Sequence, residues 1–247
     1  MMRPFACLLL ALVAAAEPPR PLPAGCTVRG RVRWVGQAPK VAALNVTKDQ
    51  EACGKTAGNE RLLIGPGGGV KHAVVWVDAI EDAPRAAPVT ATVGQKACVL
   101  TPHVQVVPYG SRVEISNSDA VLHNVHAYLD GEGSLFSFAM PPGKGQKLTS
   151  RPLAVPGVVD LRCDAGHAWT SAWIHVAAHP WYTVTAADGS YTLLDVPPGD
   201  WVLRVWHEGW IMLGDDPPSF SEPVLLQREI QARTSTPTIS DFDLRDF

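Results

Sequence analysis

Glycine and proline are spread along the whole chain and divide its apolar residues into short runs. They account for 21 and 22 of the 247 residues, about 17% where about 12% is usual. The intervals between these residues are too short for the long helices of a bundle or a coiled coil. The pattern therefore predicts an all-β chain of short strands joined by turns.

The charge of the chain argues against one class of partner. Charged residues make up 18% of the sequence, and 21 Lys and Arg against 24 Asp and Glu leave a net charge of −3. A nucleic-acid binder needs a basic patch that faces the phosphates, and the sequence has no basic stripe. We therefore expect no nucleic-acid partner.

The N-terminus has the three parts of a secretory signal. Arg3 supplies a positive charge, residues 8–13 are apolar, and three alanines form a small-residue cleavage site. These features predict a signal peptide at 1–16 and a Pro-rich leader at 17–25. The apolar run is shorter than the ~20 residues of a spanning helix, so we expect a periplasmic or secreted protein with no integral membrane segment in the mature chain.

Alternating apolar and polar residues divide the rest of the chain into four parts. N-terminal β strands are predicted at 26–94, and a run of strands and turns typical of an antiparallel sandwich at 95–178. Residues 179–210 have the pattern of a strand–turn–strand–turn–strand meander. Residues 211–247 show no clear period and are predicted to be an irregular tail.

Four cysteines remain after removal of the signal, in an export setting that permits disulfides. Cys53 and Cys98 lie in polar segments flanked by turns, whereas Cys163 has metal-binding neighbours, so we predict a Cys53–Cys98 disulfide. Closing a loop of this length stabilises a protein by about 4 kcal/mol in the chain-entropy model. Cys26 is expected to be a small buried residue at the start of the first strand.

Three residues of the segment 95–178 have the types and positions of a metal site. Cys163 ends a predicted strand and shares its inward face with the apolar residues at alternate positions. His167 follows four residues later, and His123 begins another strand. One cysteine and two histidines in a trigonal arrangement suit a mononuclear blue copper site. Zinc is the alternative, since it also takes nitrogen and sulfur ligands but requires a fourth position.

Two other histidines are expected to lie away from this site. His126 comes three residues after His123 on the same strand and should face the opposite side of the sheet. His175 alternates with apolar neighbours and is expected to be solvated.

The residues around the predicted ligands resemble those of amicyanin-type cupredoxins, which are exported blue copper proteins. NSD at 117–119 with HNVH at 123–126 resembles their first-ligand region, and CDAGHAWT at 163–170 resembles their Cys-to-His ligand loop. The resemblance implies that His123, Cys163 and His167 are equatorial copper ligands.

The ligand loop departs from the amicyanin type in two respects. Three residues separate the cysteine from the histidine where that type has two, and Thr170 occupies the position of the axial methionine. A threonine hydroxyl is a weak donor to copper. We therefore expect the axial ligand to be either Thr170, bound at most weakly, or a backbone oxygen. Met140 is the alternative axial ligand, and we expect it not to bind.

A second resemblance covers the flanks. VRGRV at 28–32, ADGSYTL at 187–193 and VPPGDW at 196–201 resemble the opening strand and closing meander of a carboxypeptidase regulatory-like, transthyretin-type module. Together the resemblances imply an antiparallel Greek-key β-sandwich of cupredoxin type with a second, small transthyretin-like sandwich. Whether the copper domain is inserted into that second sandwich is left open.

The function predicted from these features is that of an exported type 1 copper-binding protein. Its one mononuclear copper site would transfer single electrons to and from a redox partner protein. We expect no enzyme, because one buried site with no open position gives a substrate nowhere to bind. The alternatives are a copper carrier and a metal-free β-sandwich module that binds a protein or an envelope glycan, and the oligomeric state is left open.

Overall fold

The fold is described from a computed structural model that defines residues 25–78, 82–130, 133–143 and 146–245. The predicted signal peptide and all but the last residue of the leader lie outside the described residues. Regular structure in the described ranges is almost entirely strand, apart from the short helix α1 (Gln50–Cys53) and a 3₁₀ turn at Pro66–Gly68. The all-β prediction is confirmed. Among the described residues, no helix has the length and hydropathy needed to cross a membrane.

The strands follow one another in three groups along the chain. The first group is β1 (Cys26–Trp34), β2 (Leu44–Asn45), β3 (Thr56–Ala57) and β4 (Val74–Val77). The second group is β5 (Thr90–Lys96), β6 (Val99–Thr101), β7 (Val104–Pro108), β8 (Arg112–Asn117), β9 (His123–Leu129), β10 (Gly133–Met140), β11 (Lys147–Thr149), β12 (Gly157–Cys163) and β13 (Ser171–Ala177). The third group is β14 (Tyr182–Val184), β15 (Ser190–Val196), β16 (Gly199–His207), β17 (Met212–Asp215), β18 (Pro218–Phe220), β19 (Val224–Ala232), β20 (Thr238–Ile239) and β21 (Phe242–Leu244).

Strands of the first and third groups form one sandwich, which we call the split sandwich; its connecting segments contain two separate two-stranded sheets, β2–β3 and β17–β18. Strand β1 pairs with β15, β20 and β21, and a second sheet has the order β14–β4–β16–β19. Apolar side chains of both sheets, such as Val32 and Leu193 from one and Val75 and Leu203 from the other, share one buried core. The turn that leads into β15 needs Gly189, because its φ is +75° and an added Cβ would lie 2.2 Å from the carbonyl oxygen of Val32.

The second group forms the inserted sandwich, which interrupts the split sandwich between β4 and β14. Its sheets have the orders β10–β9–β12–β13–β7 and β11–β8–β5–β6. Their inward faces share a second buried core that includes Ile115, Val125 and Leu161. The question left open by the sequence is thus answered, since the segment with the predicted ligands is an insertion within another sandwich.

Three details differ from the sequence-based expectations. Three of the four larger sheets are mixed, because β7–β13, β5–β8 and the pairs of β1 with β20 and β21 are parallel. The inserted sandwich begins at Thr90, inside the segment 26–94. The predicted irregular tail at 211–247 contains strands, of which β19 pairs along its whole length with β16. The transthyretin-type resemblance of the split sandwich stays a prediction.

The two sandwiches meet through sheet faces that would otherwise contact water. Val104 and Trp173 of the inserted sandwich pack against Val74 and Trp206 of the split sandwich. His175 is buried in the same interface, with its ring centroid 4.4 Å from that of Trp206. The expectation that His175 is solvated is therefore wrong, because the second sandwich covers this face of the sheet.

A buried carboxylate lies in the contact between the two sandwiches. Glu208 is 1% exposed and binds Arg61 Nη1 at 2.8 Å, Trp173 Nε1 at 2.8 Å and the ring of His103. Burial by itself raises the pKa of Glu208, but the hydrogen bond from His103 and the charges of His103 and Arg61 outweigh it and lower the pKa. The carboxylate is therefore ionised and joins residues of both sandwiches.

Removing the charge of Glu208 should destabilise the fold. In Glu208→Gln, Arg61 loses its anionic partner while it remains largely buried, and breaking a buried ion pair in this way costs about 3 kcal/mol. Urea denaturation of the two proteins measures the difference in the free energy of unfolding. Glu229→Gln, on the exposed face of β19, is the matched control. Equal stabilities of the two variants would contradict the assigned role of Glu208.

The folded protein should lose stability in acid because His175 stays neutral in the buried interface at pH values at which it is protonated in the unfolded chain. Burial lowers the pKa of His175 to about 3, against about 6.5 in the unfolded chain. Between these values only the unfolded state binds the proton, so stability is complete above about pH 6.5 and falls by about 1.4 kcal/mol per pH unit as the pH decreases. His175→Leu should reduce this slope in denaturation series at several pH values. Val106→Leu, at the same interface, should leave the slope unchanged, and an unchanged slope in His175→Leu would contradict the argument.

Candidate metal centre

Two of the three predicted ligands lie at strand ends on neighbouring strands. His123 begins β9 and Cys163 ends β12, and the antiparallel register places Cys163 opposite Val125. Buried and half-buried residues alternate along β9, with His123 in the buried series. Both side chains therefore point to the same end of the sandwich interior; for Cys163 the alternation of residues in its strand had predicted this direction.

The loop after β12 returns the third ligand to this place. The backbone N–H of Asp164 donates to the carbonyl of Asn124 at 2.9 Å, which fixes the start of the loop. Gly166 follows with a φ of +92°, a conformation that favours glycine, and allows the chain to reverse. The N–H of Thr170 donates to the carbonyl of His167 at 2.9 Å and closes a turn around the ligand. His167 is brought to the interior in this way.

The three side chains present their donor atoms to one another. The Nδ1 atoms of His123 and His167 are 3.0 Å apart, and Cys163 Sγ lies 3.6 Å from the first and 3.4 Å from the second. A point equidistant from all three lies about 1.9 Å from each, close to the ~2.0–2.3 Å of metal–nitrogen and metal–sulfur bonds. Both rings are fully buried and Cys163 is 6% exposed. The arrangement fits a bound metal ion.

The outer nitrogens of both rings are bonded to carboxylates. His123 Nε2 lies 3.0 Å from Asp119 Oδ2, and His167 Nε2 lies 2.9 Å from Asp49 Oδ2. A neutral imidazole has one N–H and one lone pair, so donation from Nε2 leaves the lone pair on Nδ1. Both Nδ1 lone pairs then face the space beside Cys163. A cation that accepts both lone pairs relieves their mutual repulsion.

The contacts of the Cys163 sulfur and the charge state of His123 suit a bound metal. The backbone N–H of Asn124 points to Cys163 Sγ at 3.4 Å, a contact that stabilises negative charge on sulfur. Burial lowers the pKa of His123, and the hydrogen bond to Asp119 only partly opposes this. His123 is therefore neutral near pH 7, as a metal ligand must be.

The two candidate axial ligands, Thr170 and Met140, have different surroundings in the structure. The Thr170 hydroxyl donates to the carbonyl of Cys98 at 2.6 Å, so it ties the ligand loop to the hairpin between β5 and β6. Met140 is fully buried and lies directly opposite His123 in the antiparallel pair β9–β10. Residues opposite one another in such a pair point to the same face. Met140, which we expected not to bind, therefore shares the ligand face of His123.

His126 lies outside this centre, on the other face of the sheet. Its Nδ1 is 2.5 Å from Asp164 Oδ2 and its Nε2 is 2.6 Å from Ser134 Oγ. Tyr128 stacks on the ring and donates to the same carboxylate at 2.9 Å. His126 belongs to this surface hydrogen-bond network and not to the three-residue centre, which agrees with the expected direction of its side chain.

A surface cleft lies next to the sulfur side of the centre. Its volume is about 470 Å³, and Cys163 forms part of its wall. Arg162 contributes from the inserted sandwich, and Phe220 of the β17–β18 hairpin from the split sandwich. The two histidines do not line this cleft, so among the three donor residues Cys163 is the one next to it.

The cysteines agree with the sequence-based expectations, whereas the carboxylates beside the centre were not predicted as partners of the histidines. The predicted Cys53–Cys98 disulfide is present, and Cys26 is a free buried residue at the start of β1, as expected. Asp49 was missed, because it is 118 residues from His167 and has no motif around it. Asp119 belongs to the NSD motif at 117–119, but its contact with His123 was not predicted. Its position four residues before that histidine was the available signal.

Comparisons with known proteins give matches among solved structures. No family model and no curated protein matches the chain. Amicyanin from Paracoccus versutus is 21% identical over 40% of this chain and 86% of its own, with a TM-score of 0.31. Auracyanin from Roseiflexus castenholzii is 17% identical over 37% of this chain and 99% of its own, also at 0.31. A Cu-containing nitrite reductase from Thermus scotoductus is 22% identical over 40% of this chain, with a TM-score of 0.30, and only 25% of its length is covered.

Proposed function

We propose that the protein binds one copper ion through His123, Cys163 and His167 and transfers single electrons to and from a redox partner protein. The observation that supports this most directly is the convergence of one thiol and two imidazole Nδ1 atoms around a buried space of metal-ion size. A cysteine with two histidines suits copper, which can change its oxidation state by one electron in such a site.

The contacts of the ligands support electron transfer more than catalysis. Each histidine is held at its outer nitrogen by a carboxylate, and the sulfur receives a backbone N–H. Ligands held in this way move little when the charge at the centre changes. The two rings are fully buried and do not line the cleft beside Cys163, so neither histidine has an open side that a substrate could approach. We therefore propose a carrier of electrons and not an enzyme.

The disulfide supports the proposed location of the protein. Structural disulfides form and persist in oxidising compartments, and they are rare in the cytosol. The Cys53–Cys98 bridge, whose Cα atoms are 5.2 Å apart, lies beside His167 of the proposed copper centre. A periplasmic or secreted protein is consistent with this bridge, and its N-terminal residues have the pattern of a signal peptide.

Copper binding is tested by the visible spectrum of the protein after addition of Cu²⁺. We expect an intense thiolate-to-copper band that disappears on reduction and returns on oxidation. In Cys163→Ser the band should be lost, because the hydroxyl cannot supply the charge transfer, while the far-UV circular dichroism of the metal-free protein stays the same. Cys26→Ala, at the free cysteine of the split sandwich, should keep the band. A colourless wild-type protein that binds zinc but not copper would contradict the proposal, and so would one that binds neither metal.

The axial ligand is tested by exchanging the thioether for a hydrocarbon of similar size. We propose Met140 as the axial donor in place of Thr170, because it shares the ligand face of His123. Met140→Leu conserves volume and should leave copper bound, but it removes a donor that favours the oxidised ion, so the reduction potential should rise and the spectrum should change. Thr170→Ser keeps the hydroxyl and should change neither. A spectrum altered only in the Thr170 variant would overturn this assignment.

A further inference from the structure

A segment from outside the inserted sandwich lies across the ligand loop. This segment, residues 44–57, is called the strap, and its ends are joined by the β2–β3 pair. Lys48 Nζ donates to the carbonyl of Ala165 in the ligand loop at 2.5 Å. The next residue, Asp49, accepts the N–H of His167 Nε2 at 2.9 Å. The strap thus contacts the backbone of the loop and the outer edge of a proposed ligand.

Asp49 is held firmly in this position. Its own φ is +53°, in the left-handed region that aspartate tolerates better than most residues. Its carbonyl accepts the N–H groups of Ala52 and Cys53, both at 2.9 Å, at the start of the short helix α1. That helix ends at Cys53, which is bonded to Cys98 of the inserted sandwich. The covalent bond to the inserted sandwich therefore lies four residues from the carboxylate that meets His167.

Apolar contacts fix the rest of the strap. Leu44, Val46 and Ala57 are buried in one cluster with Trp169, which belongs to the ligand loop. The ring of Trp169 also meets that of His167 edge-on, with centroids 5.3 Å apart. The strap and the ligand loop form one packed unit, so the direction of the Asp49 carboxylate is set by the strap as a whole.

We propose that Asp49 is a positioning residue for the metal centre, by which the strap fixes the orientation of His167 and keeps its proton on Nε2. The proposal deepens the proposed function and rests on it. A carboxylate on the outer nitrogen selects the tautomer whose Nδ1 lone pair faces the metal, and it raises the basicity of that nitrogen. Asp119 does the same for His123 from within the inserted sandwich, whereas Asp49 supplies this contact from a different part of the chain. A complete centre therefore requires residues of the strap.

The experiment uses the full chain and three variants of the strap. Asp49→Ala removes the acceptor, Asp49→Asn keeps an oxygen that can accept the N–H but removes the charge, and Glu51→Gln removes an exposed charge two residues away as the matched control. The first measurement is the ¹⁵N NMR spectrum of the His167 ring in the metal-free protein, at a pH where the ring is neutral. The second is the affinity for Cu⁺, measured by competition with a chromophoric chelator.

We expect the Nε2–H tautomer in the wild type and in Glu51→Gln, and a mixture of tautomers in Asp49→Ala. The Cu⁺ affinity should fall by about 10- to 100-fold in Asp49→Ala, as is typical when an outer partner of a ligating histidine is lost, and by less in Asp49→Asn. A ring spectrum and an affinity of Asp49→Ala equal to those of Glu51→Gln would overturn the proposal.

The two measurements separate this proposal from the proposed function. If the wild type binds no copper, the proposed function fails, while the tautomer of His167 in the metal-free protein still shows whether Asp49 sets it. If copper binds and the tautomer does not depend on Asp49, the proposed function stands and the positioning role is wrong.

Discussion

The hydrogen bonds between the outer ring nitrogens and two carboxylates are the contacts on which the centre depends. Without them, neither imidazole would have a fixed tautomer, and the two Nδ1 atoms would not both present lone pairs to Cys163. The Cys53–Cys98 disulfide lies between the two carboxylates. Asp119 accepts the N–H groups of Ala97 and Cys98 at 2.6 and 2.8 Å, and Asp49 lies just before the helix that ends at Cys53. One covalent bond thus links the supports of both rings.

The insertion of one sandwich into the other has a cost that the interface must offset. An exposed sheet face is normally polar, but here the faces in contact bury Trp173, Trp206 and His175 together with the carboxylate of Glu208. A buried charge is tolerated only when it is paired and hydrogen-bonded, and Glu208 has cationic and hydrogen-bonding partners from both sandwiches. The contacts of Glu208 with His103 and Trp173 of the inserted sandwich therefore favour one relative placement of the two faces, because other placements would leave the carboxylate without these partners.

Local features of the structure could be predicted from the sequence, whereas contacts between distant parts of the chain could not. The alternation of residues in β1 and β12 predicted these strands and the inward direction of Cys163, because these properties depend on neighbours a few residues away. The burial of His175 depends on a sheet that covers it from another part of the chain. The strand β19 was missed because four of its nine residues are polar and exposed, as an edge strand allows. The contact of Asp49 with His167 could not be predicted, since no local pattern accompanies it.

The split sandwich contributes to both sides of the proposed copper centre. On one side, Asp49 of the strap binds the outer edge of His167. On the other side, Phe220 of the β17–β18 hairpin lies under the guanidinium of Arg61 at 3.8 Å and forms part of the wall of the cleft next to Cys163. Residues of both sandwiches line this cleft, which borders the sulfur side of the centre. On the proposed function, the split sandwich is part of the electron-transfer unit, since it supports one ligand and lines the cleft next to another.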